Sequence, residues 1–296
     1  MYTQFFGNFI LNKGVITPEQ LIDAISYQKA THLKLGTLAI HYGYMTASEV
    51  ESIHIMQTHV DKRFGELAIE QGYLTPEQVN ELLTSQKPNY LLFGQILIDR
   101  KYITNAQFEE LLAEYQAQFK IQDIDFIHAT QDKYSDLITS FYNFPGTEEQ
   151  KEKFVNYLNL FFSNLLRFIG EDFTPLHAAA FPEYPINFCV SQDITGSFSA
   201  TTALDMNHAT AIAFASRYAD ESFEEFDEYV SASIEDFLNL HNGLFTVNMS
   251  NDFDIELSLN PPEIKQERIL TYPSMYFIPI IFPFGTMNLI FTIELT

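Results

Sequence analysis

The sequence predicts an α + β multidomain fold, with all-α helical-hairpin repeats at the N-terminus and an α+β domain at the C-terminus. Glycines recur at Gly7, Gly36, Gly65 and Gly94, a constant step of 29 residues. Past residue 150 the pattern changes to strand-like runs between long amphipathic stretches. A chain of 296 residues has room for two domains, and 46% hydrophobic against 19% charged residues marks a folded chain.

The repeat predicts the first half. The copies read "FFGNFILNKGVITPEQLIDAISYQ", "KLGTLAIHYGYMTASEVESIHIMQ", "RFGELAIEQGYLTPEQVNELLTSQ" and "LFGQILIDRKYITNAQFEELLAEY". The same step links Gly14, Gly43 and Gly72 (Lys101 in the fourth copy), then Thr17, Thr46, Thr75 and Thr104. It also links Gln28, Gln57 and Gln86, with Tyr115 last. In each copy a short apolar helix should end at a residue that tolerates left-handed dihedrals. The threonine then caps a second helix, and Gln20, Glu49, Gln78 or Gln107 three residues on completes a capping box. Pro18 and Pro76 stand at the first helical position, where the missing N–H costs nothing. The reading is eight short helices over residues 3–119 in a domain spanning 1–120. One hairpin cannot bury its own apolar stripe, so the copies must pack together.

Residues 121–149 read as a connector with some helix, broken at "NFPGTEEQ". Residues 149–169 form a strong amphipathic helix, with Phe154, Tyr157, Leu158, Phe161, Phe162 and Leu165 on one stripe. "INFCVSQDITGSFSATTALDM" reads as a strand pair turning at Thr195-Gly196-Ser197. "NHATAIAFASRYA" reads as a helix, and "SFEEFDEYVSASIEDFLNLHNGLF" as a second helix ended by Asn242-Gly243. The remainder, "TVNMSNDFDIELSLNPP" onward, is strand-rich with a turn near Phe284-Gly285. The C-terminal domain is therefore placed at 150–296.

Composition excludes several functions. Net charge is −23; residues 1–120 hold 9 Lys+Arg against 13 Asp+Glu, and residues 121–296 hold 7 against 26. So negative a second half disfavours a nucleic acid polymer or an anionic membrane as its partner. The single cysteine, Cys189, rules out an internal disulfide and a cysteine-based metal site. His41, His54 and His59 read as surface or core residues, so no metal is expected. No signal peptide or apolar span for membrane insertion is evident, which predicts a cytoplasmic protein. "ITGSFS" lacks the lysine of a phosphate loop, and Ser191, Asp193 and His177 form no triad order.

The repeat resembles the tandem motif of MshEN-type domains, found at the N-terminus of pilus and type II secretion ATPases. That resemblance implies a cyclic di-GMP ligand cradled by adjacent copies, with a leading Arg reaching it. The leading positions here hold Phe5, Lys34, Arg63 and Leu92, so the middle pair is the expected pocket. Its residues would be Lys34, Leu35, Gly36, Gln57, Arg63, Phe64, Gly65 and Gln86. Read from the residues alone, the same glycines and leucines serve a helical scaffold or a protein-docking surface.

The second half resembles the CheX/CheC/FliY chemotaxis phosphatases, and CheX most. The residues that carry the likeness are "ITGSFSATTALDM" and "DFLNLHNG", with Asn239 and Gly243 matching and Asp236 standing where the family has Glu. The resemblance implies Asp236 and Asn239 as catalytic residues acting on an aspartyl phosphate of a CheY-like response regulator. The partner would supply Mg²⁺, and the chain would hold no cofactor of its own. It also implies a homodimer through this domain. At about 100° per residue, Phe223, Phe226, Val230, Phe237 and His241 share one side of the helix, leaving Asp236 and Asn239 toward solvent. The shorter Asp keeps two alternatives open: an inactive binding or dimerisation module, and a non-catalytic adaptor linking a secretion, pilus or motility machine to signalling.

Overall fold

The computed structural model describes residues 2–28, 33–60, 62–84, 89–121, 131–142, 144, 147–180, 183–197, 199–266, 269–271 and 275–293. The chain divides into two compact units, Phe9–Ala129 and a second formed by Thr3–Asn8 with Thr130–Thr296. The fold is α+β.

Eight described helices fill the repeat region: α1 (Tyr2–Asn12), α2 (Pro18–Ser26), α3 (Leu35–His41), α4 (Ala47–Gln57), α5 (Phe64–Glu70), α6 (Pro76–Thr84), α7 (Asn89–Asp99) and α8 (Asn105–Phe119). All four capping boxes form. Thr17, Thr46, Thr75 and Thr104 accept from the backbone N–H three residues on, and the Gln or Glu there accepts from the threonine N–H. Gly14, Gly43 and Gly72 have φ of 69°, 69° and 75°, and Lys101 takes 61° in the fourth copy. The glycine in the first helix of copies two, three and four has a packing reason. A Cβ on Gly36 would lie 2.8 Å from Val50 Cγ1, one on Gly65 would lie 3.1 Å from Val79 Cγ1, and one on Gly94 would collide with the Phe108 ring.

The copies do not pack only on their neighbours in sequence. Thr37 on α3 donates to Gln95 on α7, and these two residues hold the same position of copies two and four. His41 on α3 meets the hydroxyl of Tyr90 on α7, and Arg100 pairs with Asp23 of copy one at 3.0 Å while lying 3.6 Å over the Tyr27 ring.

The other unit is built on an antiparallel sheet. Its strands are β1 (Thr174–Pro175), β2 (Ala179–Ala180), β3 (Glu183–Pro185), β4 (Phe188–Gly196), β5 (Ala200–Met206), β6 (Leu257–Leu259), β7 (Glu263–Gln266), β8 (Ile269–Thr271), β9 (Met275–Phe282) and β10 (Gly285–Ile293). The main order is β1-β9-β10-β5-β4-β6; β2 also pairs with β9, β7 with β4, and β3 pairs with β8 in a separate ribbon. The expected hairpins are present: β4–β5 turns after Gly196, and β9–β10 turns at Gly285 with φ 144°.

Four described helices belong to the unit: α9 (Gln131–Phe141), α10 (Glu148–Phe168), α11 (His208–Ala219) and α12 (Glu228–Phe253). Alternate strand residues face opposite ways. Phe291 of β10 meets Phe154 and Tyr157 of α10 at 4.3 and 5.0 Å between ring centroids, and Phe282 of β9 meets Phe214 of α11 at 6.3 Å. On the opposite face Cys189, Ala203, Phe277 and Ile290 form a second cluster, with Tyr184 packed against it. The whole predicted stripe of α10, from Phe154 to Leu165, is buried.

Two expectations need correction. The long helix starts at Glu228, because the Asp227 side chain accepts from Tyr229 N and Val230 N at 3.0 Å and caps it there. Phe223 and Phe226 therefore lie before the helix, and Phe226 stacks on His208 at 4.0 Å. Nor does the helix end at Asn242-Gly243. It continues to Phe253 and closes on Asp254, whose φ is 57°, so Thr246–Phe253 is helix rather than strand. Burial outweighs local cap preference: Asn242, Phe245 and Met249 are all buried, and that packing carries the helix past the glycine.

Candidate functional site

The site grows from α12. Val230, Ile234, Phe237, Leu238, His241 and Phe245 are buried along one side, and Phe237 packs on Phe161 and Phe214. Residues at 236 and 239 fall on the other side, and both Asp236 and Asn239 are exposed. The acid–amide pair thus projects from a helix anchored by aromatic packing.

Each side chain is held by one atom only. Asp236 Oδ2 accepts from the Tyr218 hydroxyl on α11 at 2.6 Å, and Asn239 Oδ1 accepts from Gln192 Nε2 on β4 at 2.8 Å. Among the described residues, Asp236 Oδ1 and the Asn239 NH₂ group have no protein partner. Burial first, and then its bond to the Asp236 carboxylate, raises the Tyr218 phenol, so that it stays a donor at neutral pH. Burial also raises the neighbouring Glu235 carboxyl.

Behind the exposed pair lies a buried polar chain. Gln192 Nε2 also donates to the Asn260 backbone carbonyl at 2.8 Å, and Gln192 Oε1 accepts from Asn242 Nδ2 at 2.8 Å. Asn242 Nδ2 donates again to Thr202 Oγ1 at 2.9 Å, and Asn242 Oδ1 accepts from the Tyr157 hydroxyl at 3.1 Å. Sequence reasoning missed Gln192, Asn242 and Tyr218. A signal for the first two existed: Gln192 occupies the inward register between Val190 and Ile194, and Asn242 falls on the apolar side of its helix.

Nearby, Arg217 clamps Asp172 through two bonds of 2.6 and 2.9 Å, a brace within the unit. Ser191, Asp193 and His177 do not assemble. Asp193 accepts from Thr201 at 2.6 Å, and His177 pairs with the Phe141 carbonyl at 3.1 Å.

The residues proposed for a dinucleotide are arranged differently. Lys34 and Arg63 each stand at the N-cap of a short helix, and both are exposed. Lys34 Nζ is paired with Asp99 at 2.5 Å, while Arg63 makes no ion pair among the described residues. Leu35 and Phe64 do meet the glycines of the opposite copy: a Cβ on Gly65 would lie 3.2 Å from Leu35 Cδ2, and one on Gly36 would lie 3.2 Å from Phe64 Cε2. The space beside these two glycines is filled by protein side chains. Gln57 Nε2 donates to the Lys62 carbonyl at 3.2 Å, and Gln86 lies outside the described residues. No group of three or more His, Cys, Asp or Glu among the described residues could hold a metal ion, and no described helix is long and apolar enough to cross a membrane.

The class defined by this fold and site is an α+β unit that presents an acid–amide pair on an anchored helix. Chemotaxis proteins of the CheX and CheC kind are among the solved structures the chain is similar to. One is CheX from Desulfovibrio desulfuricans, with TM-score 0.43 and 13% identity over 48% of this chain and 99% of that chain. Another is a CheC-like superfamily protein from Shewanella sp. PV-4, with TM-score 0.42 and 14% identity over 48% and 97%. A third is the CheX–CheY–BeF3–Mg complex from Borrelia burgdorferi, with TM-score 0.40 and 17% identity over 47% and 95%. No family model and no curated protein matches the sequence.

Proposed function

We propose that the α+β unit docks the phosphorylated receiver of a CheY-like response regulator and accelerates loss of its acyl phosphate, in the cytoplasm. The observation that carries this reading is Asn239. It is exposed, its Oδ1 is held by Gln192, and both N–H groups are unengaged within the described residues. In the reaction a water attacks phosphorus, the bond from phosphorus to the acyl oxygen breaks, and inorganic phosphate leaves the regulator's aspartate as a carboxylate. The outward-facing Asn239 N–H groups can donate to a phosphoryl oxygen and so orient the phosphoryl group for attack. Asp236 Oδ1 is free to pair with an ammonium in the regulator's site. Positioning of this kind supplies most of the acceleration in phosphoryl transfer, with Mg²⁺ bound by the regulator.

The test is decay of a phosphorylated regulator with wild type and with Asn239→Ala. Acceleration by wild type and its loss in the variant, a drop of about a hundred-fold or more, supports the reading. No acceleration by wild type leaves the non-catalytic adaptor. One observation favours that second reading: Asp236 is a methylene shorter than Glu, and Tyr218 holds it back at 2.6 Å. Sedimentation of the same sample tests the expected homodimer.

For the helical unit the supported reading is a scaffold, because Lys34 is neutralised by Asp99 and side chains fill the space beside Gly36 and Gly65. Cyclic di-GMP is the competing occupant. Calorimetry showing binding that disappears in Arg63→Ala would establish it.

A further inference from the structure

The acid–amide pair is exposed, yet the amide is not free to turn. We infer that Gln192 is a positioning residue that sets which end of the Asn239 amide faces a partner. This rests on the docking and dephosphorylation reading above.

The orientation follows from a chain of hydrogen bonds anchored on the backbone. The Asn260 carbonyl can only accept, so the Gln192 end that faces it at 2.8 Å must be Nε2. That same Nε2 faces Asn239 at 2.8 Å, so Asn239 must present Oδ1 inward and its N–H groups outward. The opposite end of Gln192 is equally committed. Its Oε1 accepts from Asn242, whose Oδ1 takes the Tyr157 hydroxyl and whose Nδ2 also reaches Thr202. The Thr202 hydroxyl in turn points to the Gln192 carbonyl at 3.4 Å. Gln192, Asn242, Thr202 and Tyr157 are all buried. Flipping any amide in this set sets donor against donor or acceptor against acceptor among buried groups, so the chain resists it as a unit. An exposed asparagine without such support would sample both orientations and several rotamers. The ordering cost is met within the fold, before the partner arrives.

Two readouts test this on the full chain. The Asn239 side-chain amide is assigned in a ¹⁵N correlation spectrum by its disappearance in Asn239→Ala. In wild type its NH₂ pair should show restrained motion; in Gln192→Met, which keeps length but removes both polar ends, the motion should become that of a free side chain. Dephosphorylation should lose about ten- to a hundred-fold in kcat, while KM for the phosphorylated regulator changes less than about two-fold. A general packing defect would instead lower the melting temperature and leave the motion of Asn239 unchanged. If Gln192→Met does not fold, Gln192→Glu keeps the acceptor for Asn242 but offers Asn239 an acceptor in place of a donor, so the Asn239 NH₂ should turn inward, with a shifted NH₂ resonance and the same loss of kcat. A mobile Asn239 amide in wild type, or a Gln192 variant with unchanged amide motion and kcat, overturns the proposal. If wild type has no phosphatase activity, that reading falls, and the spectrum alone still decides whether Gln192 holds Asn239.

Discussion

His241 is wholly buried between Tyr157 and Phe161, whose rings lie 4.5 and 5.1 Å away at near right angles. Asn164 Nδ2 donates to its Nδ1 at 3.1 Å, which places the ring proton on Nε2, where no partner faces it among the described residues. Burial pushes this imidazole down to about 3. The group is thus neutral in the folded protein and protonates only weakly there. Unfolded histidine titrates near 6.5, so below that pH the unfolded chain takes up the proton and the folded chain does not. Stability should therefore fall as pH drops from about 6.5 toward 3, by up to about 1.4 kcal/mol per pH unit from this residue. Denaturant unfolding across that range, in wild type and His241→Leu, reads the effect. Equal pH slopes in the two proteins would assign the acid sensitivity elsewhere.

At the scale of the element, glycine has opposite meanings in the two units. Gly94 lies where a Cβ would overlap the Phe108 ring, so α7 and α8 approach closely only because the side chain is missing. Gly94→Ala should destabilise the helical unit by about 1–3 kcal/mol, as overpacking does. Gly243 lies inside α12 with open space at its Cβ position and no positive φ. Gly243→Ala should add about 1 kcal/mol of helix stability, since nothing among the described residues requires the glycine. A melting comparison of the two variants separates these cases; a loss of stability in Gly243→Ala would mean that its open face is occupied by a second chain.

At the scale of the whole molecule, the N-terminal residues matter to the C-terminal unit. Thr3–Asn8 belongs to the same compact unit as Thr130–Thr296. Phe5 is fully buried there, 4.7 Å from Phe141 and 5.5 Å from Phe162, and Asn8 Nδ2 donates to the Pro175 carbonyl at 2.9 Å. Phe5→Ala should cost about 3–5 kcal/mol, and the loss should appear in the unfolding of the sheet-bearing unit. If hydrogen exchange in that sheet is unchanged in the variant, the N-terminal segment does not stabilise it. From sequence, residues 3–8 read as the start of the first repeat, and the 29-residue period gave no sign of this second membership. The helix Gln131–Phe141, inside the expected connector, likewise belongs with the sheet.

Much of the local structure was legible in advance because it depends on neighbours in the chain. Capping boxes need a threonine and a Gln or Glu three residues apart. Left-handed helix ends call for a residue such as Gly14, Gly43 or Gly72. Amphipathic stripes such as Phe154 to Leu165 announce themselves by period. The exposure of Asp236 and Asn239 also follows from helical spacing. The end of α12 was not legible, because Asn242-Gly243 is a good local stop and only burial against β4, β5 and α10 overrides it. The polar support of the site was equally hidden. Tyr157, the hairpin pair Gln192 and Thr202, and Asn242 are far apart in sequence, and each reads alone as an ordinary strand or helix residue. By itself, the sequence determined the repeat, the helix and strand inventory of most of the chain, and the position of the acid–amide pair. Tertiary structure alone decided where the long helix ends, which unit holds residues 3–8, and how Asn239 is oriented. Those outcomes depend on which distant side chains are buried together, and no local pattern encodes that.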